Sequence, residues 1–202
     1  MFVIGNRFYN IARHSLPNKT DAWRGGFAVS AWHGSMSHYI AFNTCVSCES
    51  GLATNIRRLD NIEEGAYIWN NLVHSIDDNV GYFLAYTPNG FAWAHNNLFW
   101  DENNFNVYWG QELSSLASWN IAGNGSVYEN INSAPLLVNT LTTYPNRDYR
   151  LQTNSPAASF GASTSADGTD PFALYLQRYG MNISRDVTGK TRTVPYSMGA
   201  YE

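Results

Sequence analysis

Acidic residues recur at a nearly constant offset from a repeated asparagine. Glu49 follows Asn43 by six residues, Asp77 and Asp78 follow Asn70 by seven and eight, and Asp101 and Glu102 follow Asn96 by five and six. If those asparagines mark equivalent points of successive structural repeats, the carboxylates fall along one edge. Two carboxylates at a suitable separation serve as acid and base in glycoside hydrolysis, and several together can hold a Ca2+ that neutralises a uronate. Solvated turns explain the same residues without chemistry, because Ser75-Ile76-Asp77-Asp78-Asn79 is made of turn formers. His74 precedes that turn, and an imidazole beside a carboxylate acts as general base or proton carrier; a histidine at a strand end also serves structure alone. The catalytic candidates are His74, Asp77 and Asp78.

A second set of residues suits binding. Tyr67, Trp69 and Trp93 offer planar apolar faces beside Asn71 and Asn97, which fits stacking on sugar rings with hydrogen bonds to hydroxyls, and His95 lies beside Trp93 in sequence. Cover by a loop or a neighbouring subunit is the alternative for such rings. Arg57 and Arg58, with Arg13 and Arg24, are the cations that would bind a uronate. Lysine is confined to Lys19 and Lys190, which disfavours elimination chemistry of the Lys/Arg type. Cys45 and Cys48 form a lone CxxC, too few ligands for a four-coordinate zinc site, and read as small apolar core residues before a redox pair or local disulfide.

The elements that would position these residues appear in an internal repeat. Phe2-Val3-Ile4-Gly5-Asn6-Arg7-Phe8, Tyr39-Ile40-Ala41-Phe42-Asn43-Thr44-Cys45, Ala66-Tyr67-Ile68-Trp69-Asn70-Asn71-Leu72 and Ala92-Trp93-Ala94-His95-Asn96-Asn97-Leu98 share an apolar run, an Asn and a resumed apolar residue. Aligned on Asn6, Asn43, Asn70 and Asn96, the separations are 37, 27 and 26 residues. Strand period then puts Ile4, Ala41, Ile68 and Ala94 inward, followed by Phe8, Cys45, Leu72 and Leu98. Ile40, Tyr67 and Trp93 form one outward lane, and Phe42, Trp69 and His95 the next. An Asn between apolar positions needs partners, and a ladder of amides stacked from repeat to repeat supplies them. The expected fold is all-β: a right-handed parallel β-helix, or solenoid, with rungs over 1–138 and a loop-rich C-terminal cap over 139–202 of the same domain. Short helices are expected near Glu112 to Trp119 and from Pro171 to Tyr179, with the repeat dissolving after Asp101. The first strand begins at Met1, so missing N-terminal rungs or a partner is expected to cover the top of the stack.

Composition supports that class and excludes others. Asparagine occurs 23 times, charged residues make up 14% and aromatic residues 15%, a bias toward turn-rich β structure. With 12 Lys+Arg against 16 Asp+Glu and no basic run longer than Arg57-Arg58, a nucleic-acid partner is not expected. No stretch approaches the roughly 18 apolar residues of a membrane span, and the first residues show no signal-peptide pattern.

The second half resembles secreted bacterial right-handed β-helix proteins of the pectate-lyase-like superfamily. Ser133-Ala134-Pro135-Leu136-Leu137-Val138, then Asp148-Tyr149-Arg150-Leu151-Gln152-Thr153-Asn154-Ser155-Pro156-Ala157, then Asp186-Val187-Thr188-Gly189-Lys190-Thr191-Arg192 and Gly199-Ala200-Tyr201-Glu202 are similar to their terminal signature. Asn106-Val107-Tyr108-Trp109 and Ser118-Trp119 resemble a segment that precedes it. Ala134 stands where the family usually has Asp, and Ser159-Phe160-Gly161 replaces a D-x-G. The resemblance implies an extracellular or cell-surface protein whose partner is a polysaccharide lying in a groove along the rungs, acted on by a lyase or a glycoside hydrolase. The alternative is a non-catalytic glycan-binding or adhesion solenoid.

Overall fold

The computed structural model describes residues 1–9, 25–31, 37–48, 50–56, 65–75, 83–85, 92–101, 107–109, 111–140 and 147–202. Short strands return to three parallel sheets in turn. The first sheet holds β1 (Phe2–Ile4), β4 (His38–Ala41), β7 (Ala66–Trp69), β10 (Ala92–His95) and β14 (Val127–Tyr128) in that spatial order. The second holds β2 (Arg7–Tyr9), β5 (Thr44–Val46), β8 (Leu72–Ser75) and β11 (Leu98–Asp101). The third holds β3 (Gly25–Ala31), β6 (Ser50–Ile56), β9 (Phe83–Ala85) and β12 (Val107–Trp109), with the short antiparallel β13 (Glu112–Leu113) on its edge. Each of the first four passes adds one strand to every sheet, in register with the strand before, and a fifth adds β14 to the first sheet.

What fixes that register is the corner between the first and second sheets. Gly5, Phe42, Asn70, Asn96 and Glu129 occupy one equivalent position and all adopt positive φ, between 50° and 70°. Glycine and asparagine reach this left-handed region most easily. Phe42 does so at φ 57° while fully buried, stacked on Phe172 with centroids 5.2 Å apart. The next residue in every pass is the ladder: Asn6, Asn43, Asn71, Asn97 and Asn130. Each Oδ1 from Asn43 onward accepts both the backbone N–H and the side-chain Nδ2 of the asparagine one pass earlier, at 2.9 to 3.1 Å. The Nδ2 groups of Asn43, Asn71, Asn97 and Asn130 also donate to Val3, Ile40, Ile68 and Ala94 carbonyls of the preceding pass. Buried amides so satisfied lock neighbouring passes together.

This corrects the alignment drawn from the sequence in one respect. In the pairs Asn70-Asn71 and Asn96-Asn97 the first residue turns the corner and the second joins the ladder. Anchoring on the first shifted two repeats by one residue. The inward lane is therefore Val3, Ile40, Ile68, Ala94 and Val127, continued by Phe8, Cys45, Val73 and Phe99, whereas Ile4, Ala41, Leu72 and Leu98 face outward. Tyr39 takes the lane given to Ile40, and Ala41 that given to Phe42. The repeat also persists past Asp101, with a fifth corner at Glu129-Asn130. Both cysteines lie buried in the inner core, as their reading as apolar residues anticipated.

Helix α1 (Leu116–Gly123), a few residues later than expected, lies between β13 and β14 in the chain and sends Trp119 into the inner core, fully buried and edge-on to Phe99. Ser115 caps its N-terminus and Asn124 its C-terminus. The C-terminal segment packs along the sides of the stack. Its part around α2 (Pro171–Tyr179) covers the outer face of the first sheet, and Leu137, Tyr149, Ala157, Met198, Ala200 and Tyr201 cover that of the second. The corner ties it down. Asn70 pairs both side-chain atoms with the backbone of Ala162, Asn96 donates to Phe160 O, and Ala200 N–H donates to Thr44 Oγ1. Gly161 and Gly199 permit this approach: an added Cβ would lie 2.8 Å from Tyr196 O and 2.6 Å from Thr44 Oγ1.

The ladder predicts a position-dependent cost. Asn71→Ala, in its buried centre, removes partners of Asn43, Ile40, Trp69 and Asn97 and should cost about 3–5 kcal/mol, whereas Asn6→Ala at the exposed end should cost less than about 1 kcal/mol. Urea unfolding midpoints of the two variants check this, and equal shifts would refute a ladder that carries the fold.

Candidate functional site

Strand alternation builds two aromatic columns on the outer face of the first sheet. In one, Phe2, Tyr39, Tyr67 and Trp93 stack ring on ring, with centroids 5.3, 5.4 and 4.9 Å apart and interplanar angles of 24°, 14° and 12°. In the other, Trp69, His95 and Tyr128 stack in parallel at 6.2 and 4.9 Å. In-register parallel strands place identical lanes about 4.8 Å apart, close to the stacking distance of aromatic rings.

The tail determines which rings remain accessible. Trp69 is fully buried and His95 nearly so, under the segment that includes Ala162, Phe172 and Tyr196. Burial holds the His95 imidazole below its ordinary pKa despite a 2.9 Å contact between Nδ1 and Asn96 Oδ1 and the nearby Glu129 charge. Its neutral ring therefore serves the stack. In the first column Tyr175 and Tyr179 of α2 meet Phe2 edge-on, and Tyr67 is 9% exposed. Trp93 is half-buried. Register puts Ser126 at the next place in its lane, since Val127 pairs with Ala94 and Ser126 O accepts from Ala94 N. Ser126 turns its hydroxyl back to Gly123 O at 2.6 Å, so no ring continues the column beyond Trp93.

Along the edges of these rings runs the loop before α2. Tyr39 donates its hydroxyl to Asp167 Oδ2 at 3.2 Å, and Ser165 Oγ and Thr169 N donate to Oδ1. Burial opposes the Asp167 charge, but these hydrogen bonds outweigh it and hold the carboxyl below its ordinary pKa. The Tyr67 hydroxyl is pushed up to about 12, first by burial and then by the Asp167 charge, and stays protonated. Sequence gave no sign of Asp167: Ser165-Ala166-Asp167-Gly168 reads as a turn, and nothing local ties it to Tyr39, 128 residues away.

His74, the catalytic candidate that can be located, lies on the outer side of the second sheet, 9% exposed, with Nδ1 3.4 Å from Trp100 O. It and the ring column occupy different sheets, and the corner carrying the tail runs between them. Asp77, Asp78, Arg57 and Arg58 lie outside the described residues, as do Glu49, Glu102 and the Asp101 side chain. Among the described residues no group of three His, Cys, Asp or Glu side chains is placed to hold a metal, so a Ca2+ site would depend on those acidic residues. No helix is long and apolar enough to cross a membrane among the described residues.

No family model and no curated protein matches the chain.

One titration can be predicted here. His38 is buried at the start of β4, in register with Ala66, and desolvation, aided by the Met1 ammonium, lowers its pKa from 6.5 to about 4. The unfolded chain takes up this proton near pH 6.5 and the folded one only near 4, so the stability tied to neutral His38 is complete above 6.5 and lost as pH falls to about 4. The lowered His95 adds to this decline below pH 6.5, so His38 carries part of it, and the lowered Asp167 and Asp186 act in the same direction only below their ordinary value of 3.8. Denaturant midpoints should therefore decline from pH 6.5 to 4, and His38→Leu should flatten that decline. A His38→Leu profile parallel to the parent would contradict the assignment.

Proposed function

We propose that this chain forms coils of a right-handed parallel β-helix of the secreted, pectate-lyase-like kind, and that it binds polysaccharide on the outer face of the first sheet. The repeating order of three parallel sheets, the asparagine ladder and the similarity of residues 133–202 to the terminal signature of such proteins support the fold reading. The observation that carries the binding reading is the end of the ring column at half-buried Trp93, where Ser126 cannot cover the indole. A flat ring supported from behind by Tyr67 is a platform for the apolar face of a sugar. Extracellular or cell-surface placement belongs to the same proposal, supported by the resemblance of residues 133–202 to that terminal signature.

Burial separates the two tryptophans as tests. Trp93→Ala should keep the fold and reduce retention on immobilised polysaccharide about ten-fold. Trp69→Ala should cost about 3–5 kcal/mol of stability, because it empties a fully enclosed site. Affinity electrophoresis through gels containing neutral and uronate polysaccharides, paired with thermal unfolding, checks both; unchanged retention of a folded Trp93→Ala protein would end the binding reading.

A lyase or glycoside hydrolase is the second reading, favoured by the placement of His74 at the end of β8, immediately before the segment bearing Asp77 and Asp78. It requires unsaturated products or new reducing ends from the parent protein, abolished by His74→Ala. Absence of product from a panel of polysaccharides, with retention intact, leaves binding alone.

A further inference from the structure

The carboxylate beside the ring column has no partner of opposite charge among the described residues. Elsewhere in the tail Asp148 meets Arg150 and Glu202 meets Arg192 at 3.5 Å, while Asp170 caps α2 and Asp186 is held by backbone N–H groups and the Thr188 hydroxyl, both away from the ring column. Asp167 is held by neutral donors, the Tyr39 and Ser165 hydroxyls and the Thr169 N–H. These fix its position and favour its ionised form without cancelling its charge. It is exposed to solvent, unlike the rings behind it. Its hydrogen bond to Tyr39 places the carboxylate on the edge of the column two rings back from Trp93, with Tyr67 between them at centroid distances of 5.4 and 4.9 Å. An aromatic face and an uncompensated carboxylate on one column both attract cations, the ring through its quadrupole and the carboxylate through its charge. The whole chain, at net charge −4, adds to that bias.

Resting on the binding reading above, we propose that the glycan recognised here carries protonated amino groups: one sugar residue stacks on Trp93 while the ammonium of a neighbouring residue in the same polymer pairs with Asp167. A uronate polymer would bring its carboxylates toward Asp167 and be repelled. A neutral glycan would gain the stacking without the ion pair.

The test compares short glucosamine oligomers with their N-acetylated counterparts by isothermal titration calorimetry at mildly acidic pH. N-acetylation keeps the ring and removes the charge. The amine oligomer should bind about five-fold tighter at low salt, the scale of one unit-charge pair near a protein surface. That advantage should vanish in about 1 M salt, where the screening length is about 3 Å, and in Asp167→Asn. The salt arm uses the unaltered protein and so stands even if the variant folds poorly. Equal affinity for the two oligomers, or a preference that survives salt or persists in Asp167→Asn, overturns the amine assignment while Trp93-dependent binding of both leaves the glycan reading in place. Binding of neither oligomer and of no neutral polysaccharide overturns both.

Discussion

A buried amide that must find four partners is the constraint on which this molecule is built. The ladder asparagines from Asn43 to Asn130 are buried among apolar residues, and an unsatisfied amide there would cost a few kcal/mol. Each pass of the chain must therefore arrive with its own asparagine level with the last. Once that is met, the strands on either side of the corner can pair only in the observed register, because a slip of one residue would turn the inner lane of Val3, Ile40, Ile68 and Ala94 outward. The left-handed residue before each ladder asparagine follows from the same demand. It bends the chain sharply enough to aim the amide along the stack, and even Phe42 accepts that conformation.

The corner also explains how the outer faces are closed. The first and second sheets carry apolar side chains on both faces, as parallel sheets covered on both sides do. Their outer faces are buried by one continuous tail that crosses where Asn70, Asn96 and Thr44 offer polar atoms to its backbone. Buried Arg192, lying 4.5 Å over the Phe42 ring and bonded to Gly199 O and Glu202, pins the last residues to the same place. What the tail leaves uncovered is a small part of the ring column. Recognition, on this view, happens where the molecule's own cover stops.

Much of this was legible in the sequence. The spacing of Asn6 and Asn43 and the apolar runs beside them predicted parallel stacking and an amide ladder, because both are periodic signals carried by neighbouring residues. The doubled asparagines misled by one position since either can turn a corner or join a ladder, and only the shared lane with Val3 and Ile40 decides between them. Asn130 was passed over although Val127-Tyr128-Glu129-Asn130-Ile131 has the same form, because the intervening helix breaks the spacing. The fate of the aromatic lanes was not readable at all. Whether Trp69 faces solvent or Phe172 depends on contacts between residues about a hundred positions apart, and the pairing of Asn70 with Ala162 spans 92. No local pattern records such a contact.

The ladder has a direction. From Asn6 to Asn97 each side-chain amide donates to the Oδ1 of the next pass, and from Asn43 onward each Oδ1 accepts from the pass before, so the amide-to-amide hydrogen bonds all run one way along the column, as they do along a helix. The oxygen of Asn6 stands at the accepting end and accepts nothing among the described residues. Two such ends brought face to face would oppose oxygen to oxygen. The column thus acts as a one-way coupling: whatever stacks on β1 and β2, a further coil or another chain, meets the Asn6 oxygen and must bring an N–H donor to it.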